Sequence, residues 1–287
     1  MKNTQKLRHL IQLASAVLTD GYAKGFAKGV IFTGKSKMLC VPVLNCYSCP
    51  GALGACPIGS LQAVLGSNKF NMSFYVLGLL MLFGMLLGRI VCGFLCPFGF
   101  IQELLHKIPL PKLTVKKELD KPLRLLKYLV LAALIILPIA VTNPYGIAPP
   151  YFCQWVCPAG TLEGGIPLLI KNEGLRRMVG FLFSWKCAIL IVVVLLSTVI
   201  YRPFCKYLCP LGAFYGLFNK LGFARMEVNG EKCVQCGNCE RSCPMQVDVR
   251  KNINSAECIR CGKCSDACPT DAIRKCFSKA AKETAEI

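Results

Sequence analysis

The sequence is poor in charge. Asp, Glu, Lys and Arg make up 17% of its 287 residues, against roughly 25% in soluble domains. With 54% hydrophobic residues and a mean hydropathy of +0.49, that shortage excludes an ordinary soluble protein and points to a bilayer as solvent. Histidine is scarcer still. His9 and His106 are the only two. Neither stands beside a nucleophile, so no acid–base catalytic set is visible. The chain lacks a Cys-x2-Cys-His haem attachment site, a Gly-x-Gly-x2-Gly dinucleotide fingerprint and a recognisable flavin domain. Lys2, Lys6 and Arg8 near the start are followed by no clean apolar core or cleavage site, so no cleavable signal peptide is expected. Acidic residues number 15 against 34 basic ones, a formal charge of +19. In so apolar a chain the excess marks loops that face anionic lipid, and nucleic acid is not expected as a partner.

Cysteine is abundant. There are 20, mostly in spacings typical of metal ligands rather than of a disulfide scaffold. Cys233-x2-Cys236-x2-Cys239-x3-Cys243-Pro244 is followed by Cys258-x2-Cys261-x2-Cys264-x3-Cys268-Pro269. This is the two-cluster bacterial ferredoxin run, in which the fourth cysteine of each run ligates the other cluster. One 4Fe-4S cluster is therefore expected on Cys233, Cys236, Cys239 and Cys268. A second is expected on Cys258, Cys261, Cys264 and Cys243.

A shorter pattern, Cys-Pro-x-Gly, occurs four times, at Cys56, Cys96, Cys157 and Cys209. Three copies have a cysteine four residues earlier, at Cys92, Cys153 and Cys205, and the first has Cys49 seven residues earlier. Proline turns the chain, and glycine lets backbone approach a bulky group.

Residues 70–88, 128–142 and 178–201 are apolar enough to span a bilayer, with Pro138 bending the second and Lys186 alone in the third. Residues 10–32 are a fourth candidate, either spanning or interfacial, with Asp20, Lys24 and Lys28 sharing one helix face. An Asp20–Lys24 salt bridge is expected there. The segment 89–127 is strongly basic, 143–177 much less so, and the chain after 201 basic again. The basic segments are thus cytoplasmic, and parity makes the first candidate span from a cytoplasmic N-terminus.

The Cys-Pro-x-Gly copies then alternate outside, inside, outside, inside, as two parallel two-helix repeats. Each repeat offers two thiolates per side, and a 4Fe-4S cluster takes four. Pairing the repeats gives an inner set, Cys92, Cys96, Cys205 and Cys209, and an outer set, Cys49, Cys56, Cys153 and Cys157. Cys46 could replace one of the outer four, whereas Cys40, Cys187 and Cys276 read as plain residues. Lys186 either snorkels to the interface or faces the outer set. The expected architecture is a membrane all-α four-helix bundle over residues 1–225, plus a small α+β bacterial two-cluster ferredoxin domain over 226–287 on the cytoplasmic side of the cell membrane.

These motifs resemble the NapH-type quinol dehydrogenase subunits, the membrane portion of NosR, and related membrane polyferredoxins, over residues 10–273. The positions that carry the resemblance are Cys92, Cys96, Cys205, Cys209 and the eight ferredoxin cysteines. It implies electron transfer through 4Fe-4S clusters, with membrane lipid and redox proteins on both sides as partners: a ferredoxin-level donor inside, and a flavo- or haem protein outside. A quinol dehydrogenase subunit acting on a quinone is the alternative, in which Asp20, Lys24 or Lys28 would handle protons. An assembly or redox-sensing factor for a metalloenzyme is the third. The outer cysteines depart from the NapH pattern and would give electrons a landing point that needs no quinone. The hydrocarbon core, about 30 Å thick, is too wide for one efficient tunnelling step, so the clusters must dip into it or have something between them.

Overall fold

The computed structural model describes residues 3–67, 74–141, 143 and 147–276. The first residues of the span expected at 70–88, the end of that at 128–142 and the last part of the ferredoxin domain lie outside the described residues.

The helices follow in order as α1 Asn3–Thr19, α2 Ala23–Lys28, α3 Pro57–Leu65, α4 Tyr75–Leu86, α5 Ile90–Phe94, α6 Pro97–His106, α7 Lys117–Ala140, α8 Tyr151–Trp155, α9 Ile166–Lys171, α10 Glu173–Arg177, α11 Phe181–Val199, α12 Pro203–Tyr207 and α13 Pro210–Leu217. Among the described residues, two helices, α7 and α11, are long and apolar enough to cross a membrane, and α4 is a shorter apolar helix. They leave Leu125, Leu129, Ile136 and Ile139 on α7 and Ile191, Val192 and Leu195 on α11 exposed, a surface that lipid would cover.

The segment 10–32 is not one helix. α1 ends at Thr19, and the chain turns at Gly21 before α2. A Cβ on Gly21 would lie 2.5 Å from the Val17 carbonyl oxygen. The shared face of Asp20, Lys24 and Lys28 is therefore broken. Asp20 turns toward Cys49 and Asn45, no Asp20–Lys24 ion pair forms, and both lysines are exposed. α1 nevertheless links two ends of the molecule. Gln5 Nε2 donates to the Cys261 carbonyl at 3.1 Å, and the Leu53 amide donates to the Thr19 carbonyl at 2.9 Å. At 1.5 Å per residue those contacts are about 21 Å apart along the helix.

The C-terminal part carries a two-stranded antiparallel sheet, β1 Arg225–Val228 against β2 Ile273–Cys276 with Met226 opposite Lys275, and short helices α14 Asn238–Arg241, α15 Val249–Asn252 and α16 Lys263–Asp266. Its two halves repeat their backbone. Gln235 and Arg260, each two residues past the first cysteine of a run, have φ of +51° and +53°; Gln246 and Asp271, three past the last, have +53° and +49°. Gly237 and Gly262, also left-handed, open α14 and α16. One buried cluster joins this part to the rest of the chain, running through Ile259, Cys261, Val91, Cys92, Cys96, Cys209, Leu80, Tyr215, Cys56 and Cys157.

Candidate metal centres

Each ferredoxin run places three thiols on one cavity, and the other run adds the fourth. Cys258, Cys261, Cys264 and Cys243 line one cavity. Cys233, Cys236, Cys239 and Cys268 line another. Backbone amides point at the crossing thiols: Val247 N to Cys243 Sγ at 3.5 Å and Ala272 N to Cys268 Sγ at 3.3 Å. The two cavities differ in surroundings. Ile259 and Arg260 are buried against the helical part, whereas Cys236 is exposed and Val234 is 63% exposed.

The Cys-Pro-x-Gly copies share one local device. Cysteine precedes the proline that starts each helical turn, and in the copies at Cys96, Cys157 and Cys209 the glycine amide donates to the cysteine sulfur. The distances are 3.4 Å for Gly99 to Cys96, 3.4 Å for Gly212 to Cys209 and 3.5 Å for Gly160 to Cys157. Proline suits the first position because that amide has no helical partner. A sulfur there accepts an amide that would otherwise be orphaned. In the third copy the following turn is π-helical, Gly160–Gly165.

Cys92, Cys96, Cys205 and Cys209 lie within electrostatic reach of one another, and the two halves of the chain hold this set reciprocally. Arg89, three residues before Cys92, donates to the Cys205 carbonyl at 3.2 Å. Arg202, three before Cys205, donates to the Cys92 carbonyl at 2.6 Å. Both arginines are 0% exposed. The glycines make room for them: a Cβ at Gly99 would lie 2.9 Å from Arg202 Nη1, and one at Gly212 3.1 Å from Arg89 Nη2. Here glycine admits the opposite half's guanidinium. Arg202 holds its own backbone at φ +48°, a region costly for a non-glycine residue.

Of the two loop cysteines considered for the outer group, Cys46 rather than Cys49 acts electrostatically on Cys153 and Cys157. Cys56, Cys153 and Cys157 lie together, and Cys46 joins them: it would stand 3.6 Å from a Cβ on Gly160. Cys49 faces Asp20 and accepts the Gly51 amide at 3.4 Å. The tight turn at 46–52, with Cys49 N bonded to Cys46 O at 2.9 Å, points the two thiols in different directions. Cys40 lies beside Ser60 and near Cys56. Cys276 contacts Glu227 at 3.3 Å. Lys186 lies beside the outer group, its Nζ 3.9 Å from a Cβ position on Gly160 and electrostatically felt by Cys46 and Cys153.

The sixth residue after each Cys-Pro-x-Gly cysteine is a further part of these sites that spacing arguments over cysteine alone overlook. Gln62 donates to Cys153 Sγ at 3.3 Å and accepts the Phe152 amide at 2.9 Å. Gln102 repeats this with Cys205 Sγ at 3.2 Å and the Phe204 amide at 3.2 Å. Glu163 accepts the Cys46 amide at 2.9 Å. The fourth copy has Tyr215. The readable signals were Arg-x2-Cys-x3-Cys-Pro-x-Gly, present twice, and Gln, Gln, Glu, Tyr at the sixth position.

Buried charge ties the parts together. Glu257, beside Cys258, accepts from Lys127 at 2.5 Å and Arg89 at 3.2 Å. Burial raises its pKa, but Arg89 and Lys127 outweigh that and hold it below the usual carboxylate range. Glu103 pairs with Arg8 at 2.8 Å and Arg202 at 3.1 Å and with the Tyr201 hydroxyl. Burial opposes its ionisation, yet Arg202 and Arg8 pull its pKa down to about 2. A Cβ on Gly93 would lie 2.3 Å from the Ile259 carbonyl oxygen, so the ferredoxin part docks backbone to backbone beside Cys92.

All four cysteine groups suit a sulfur-ligated anionic cofactor. Among the described residues no group of three or more His, Cys, Asp or Glu side chains is close enough to hold a single metal ion. At the inner set, Arg89 Nε and Arg202 Nη2 are buried donors without a partner, which an anionic cluster would offset.

Comparison with known proteins agrees with this chemistry. A 4Fe-4S binding domain model matches residues 70–116, 129–171 and 182–226, and a 4Fe-4S dicluster domain model matches 225–269. The uncharacterized protein MJ0750 of Methanocaldococcus jannaschii is 32% identical over 202 residues, 68% of this chain and 74% of that protein. The putative electron transport protein YccM of Escherichia coli is 29% identical over 174 residues, 58% of this chain and 44% of YccM. The regulatory protein NosR of Pseudomonas aeruginosa is 28% identical over 174 residues, 56% of this chain but 21% of NosR. The chain thus spans half or less of the length of the last two. No solved structure matches it. The chain is an iron–sulfur electron-transfer protein with 4Fe-4S domains. It belongs to the NapH/NosR-type family of membrane-associated polyferredoxins.

Proposed function

We propose that the chain conducts electrons across the cell membrane between a ferredoxin-level donor in the cytoplasm and an acceptor protein outside, using one 4Fe-4S cluster on each of its four cysteine groups. The N-terminus and residues 226–287 would be cytoplasmic, with residues 1–225 forming the membrane part. Cys46, Cys56, Cys153 and Cys157 would hold the outer cluster, and Cys92, Cys96, Cys205 and Cys209 the inner one. Each cluster supplies one-electron chemistry with its potential set by local charge, hydrogen bonds and exposure. The chain's own residues supply the order: an exposed group at Cys236 for a soluble donor, a buried group at Cys258 docked beside Cys92, and a core continuous from there to Cys56 and Cys157. That continuous core carries the proposal. The test is anaerobic iron and sulfide analysis with electron paramagnetic resonance (EPR) of the full chain. About sixteen iron atoms and four reducible centres are expected; about eight would remove both membrane centres.

A quinol donor is the second reading, favoured by one observation. The two histidines converge on Glu103: His9 Nδ1 is 3.7 Å from its carboxylate, and His106 stacks edge-on against Tyr201 at 5.5 Å. A quinol there would find a polar, proton-accepting corner between the inner and ferredoxin groups. Cluster reduction by menaquinol that is lost in His9→Ala and His106→Ala would favour it.

A further inference from the structure

Tyr215 breaks the repeat in which it sits. At the equivalent positions Gln62, Gln102 and Glu163 each turn back to a backbone amide at, or next to, a cysteine of their own group. Tyr215 crosses to the other group. Its hydroxyl donates to the Pro42 carbonyl at 2.9 Å, and Pro42 belongs to the loop that holds Cys46. Its side chain is 0% exposed and lies within electrostatic reach of Cys92 and Cys96 on one side and of Cys40 and Cys56 on the other. Of the four sixth-position residues, it is the one that touches the structure of both membrane groups.

We propose that Tyr215 is the bridge between the inner and outer centres: it fixes their separation and fills the gap with a continuous bonded and aromatic path. This rests on the reading that both cysteine groups hold clusters. The path is short in chain terms. It runs from Cys209 along six residues of α13 to Tyr215, across one hydrogen bond to Pro42, and through Val43, Leu44 and Asn45 to Cys46. Those three residues are 1%, 2% and 1% exposed, so the loop is a plug packed into the protein. The breadth of the bilayer is therefore not the distance an electron must cross, because the outer loop reaches in to meet α13. One electron leaves one centre and enters the other, and no bond is made or broken. Tyr215 stays closed-shell. Its hydroxyl faces a carbonyl oxygen, which cannot take up the proton that oxidation of a phenol would release. It is a positioning residue and a tunnelling medium, not a redox station.

The test uses the full chain, purified anaerobically, with Tyr215→Phe and Tyr215→Leu. Tyr215→Phe keeps the ring and removes the tie to Pro42; Tyr215→Leu removes the ring as well. Two quantities are read: the magnetic interaction between the two membrane centres in the EPR spectrum of the fully reduced protein, and the delay between their signals after rapid mixing with dithionite and freezing. Both variants are expected to retain wild-type midpoint potentials. The delay should lengthen modestly in Tyr215→Phe and by roughly tenfold in Tyr215→Leu, with a weaker interaction in both. If the leucine variant loses iron, the phenylalanine variant decides by its weakened interaction. A wild-type delay and interaction in every variant that keeps its iron would overturn the bridge and leave the four-centre reading standing. A wild-type protein with no second membrane signal would overturn both.

Discussion

The inner and outer cysteine groups are built from the same repeat and differ in the charge placed around them. The inner set is clasped by two fully buried arginines, Arg89 and Arg202, each reaching into the opposite half of the chain. The outer set has the single cation Lys186 on one side and, on the other, Asp20 and Glu163, each with a buried oxygen that finds no partner; burial raises both carboxyls, Glu163 to about 8, so they add little charge. One motif therefore supplies the ligands, and the residues around it supply the electrostatics. Positive charge favours the more reduced, more negative state of a cluster, so, on the proposed reading that both sets hold clusters, the inner centre is expected to have the higher potential.

The largest effects should come from the ligands. Cys96→Ser and Cys209→Ser are expected to abolish the same EPR signal and about four iron atoms each; loss of two different signals would break the pairing across halves. Cys46→Ser should remove the outer signal while Cys49→Ser leaves it in place, and the reverse result would return Cys49 to the outer set. Next is Glu103→Ala, which leaves Arg8 and Arg202 buried without their carboxylate and should cost about 3–5 kcal/mol, read as a lowered thermal midpoint. The ion pair itself should be insensitive to pH above the ordinary carboxylate range. A carboxylate held at about 2 contributes stability that is fully present above its unfolded pKa and is lost only as pH falls toward the folded one. A midpoint that drops between about pH 8 and 6 would mean that Glu103 is not ionised in this way.

Smaller effects test the electrostatic contrast directly. In the wild type, a redox titration followed by EPR should place the inner centre above the outer one; the opposite order would break the comparison. Arg89→Met, which leaves Glu257 its partner Lys127, should lower the inner potential by on the order of 60 mV, the one-electron equivalent of about 1.4 kcal/mol. Lys186→Met should lower the outer potential by a smaller step, about 30 mV or less, because Lys186 is only half-buried. Neither change should move the exposed ferredoxin centre at Cys236.

Cysteine spacing alone determined much of this protein. The double run from Cys233 to Cys268 could be read as two crossed sites because a tight turn fixes which thiols share a face, and such turns are local. The four Cys-Pro-x-Gly copies likewise announced four helix starts, since proline and an N-cap act within one turn. Hydropathy found the long helices α7 and α11 but not the break at Gly21, where packing of the chain against Val17 and Leu53 outweighs the helical charge pattern. Only the tertiary structure decided which thiol of Cys46 and Cys49 faces Cys157, since both sit on one turn and the partner is more than 100 residues away. The reciprocal arginines, the buried Glu103 and Glu257 pairs, and Tyr215 against Pro42 were decided the same way. Each is a contact between distant segments, and no local rule of spacing contains the fold that brings them together.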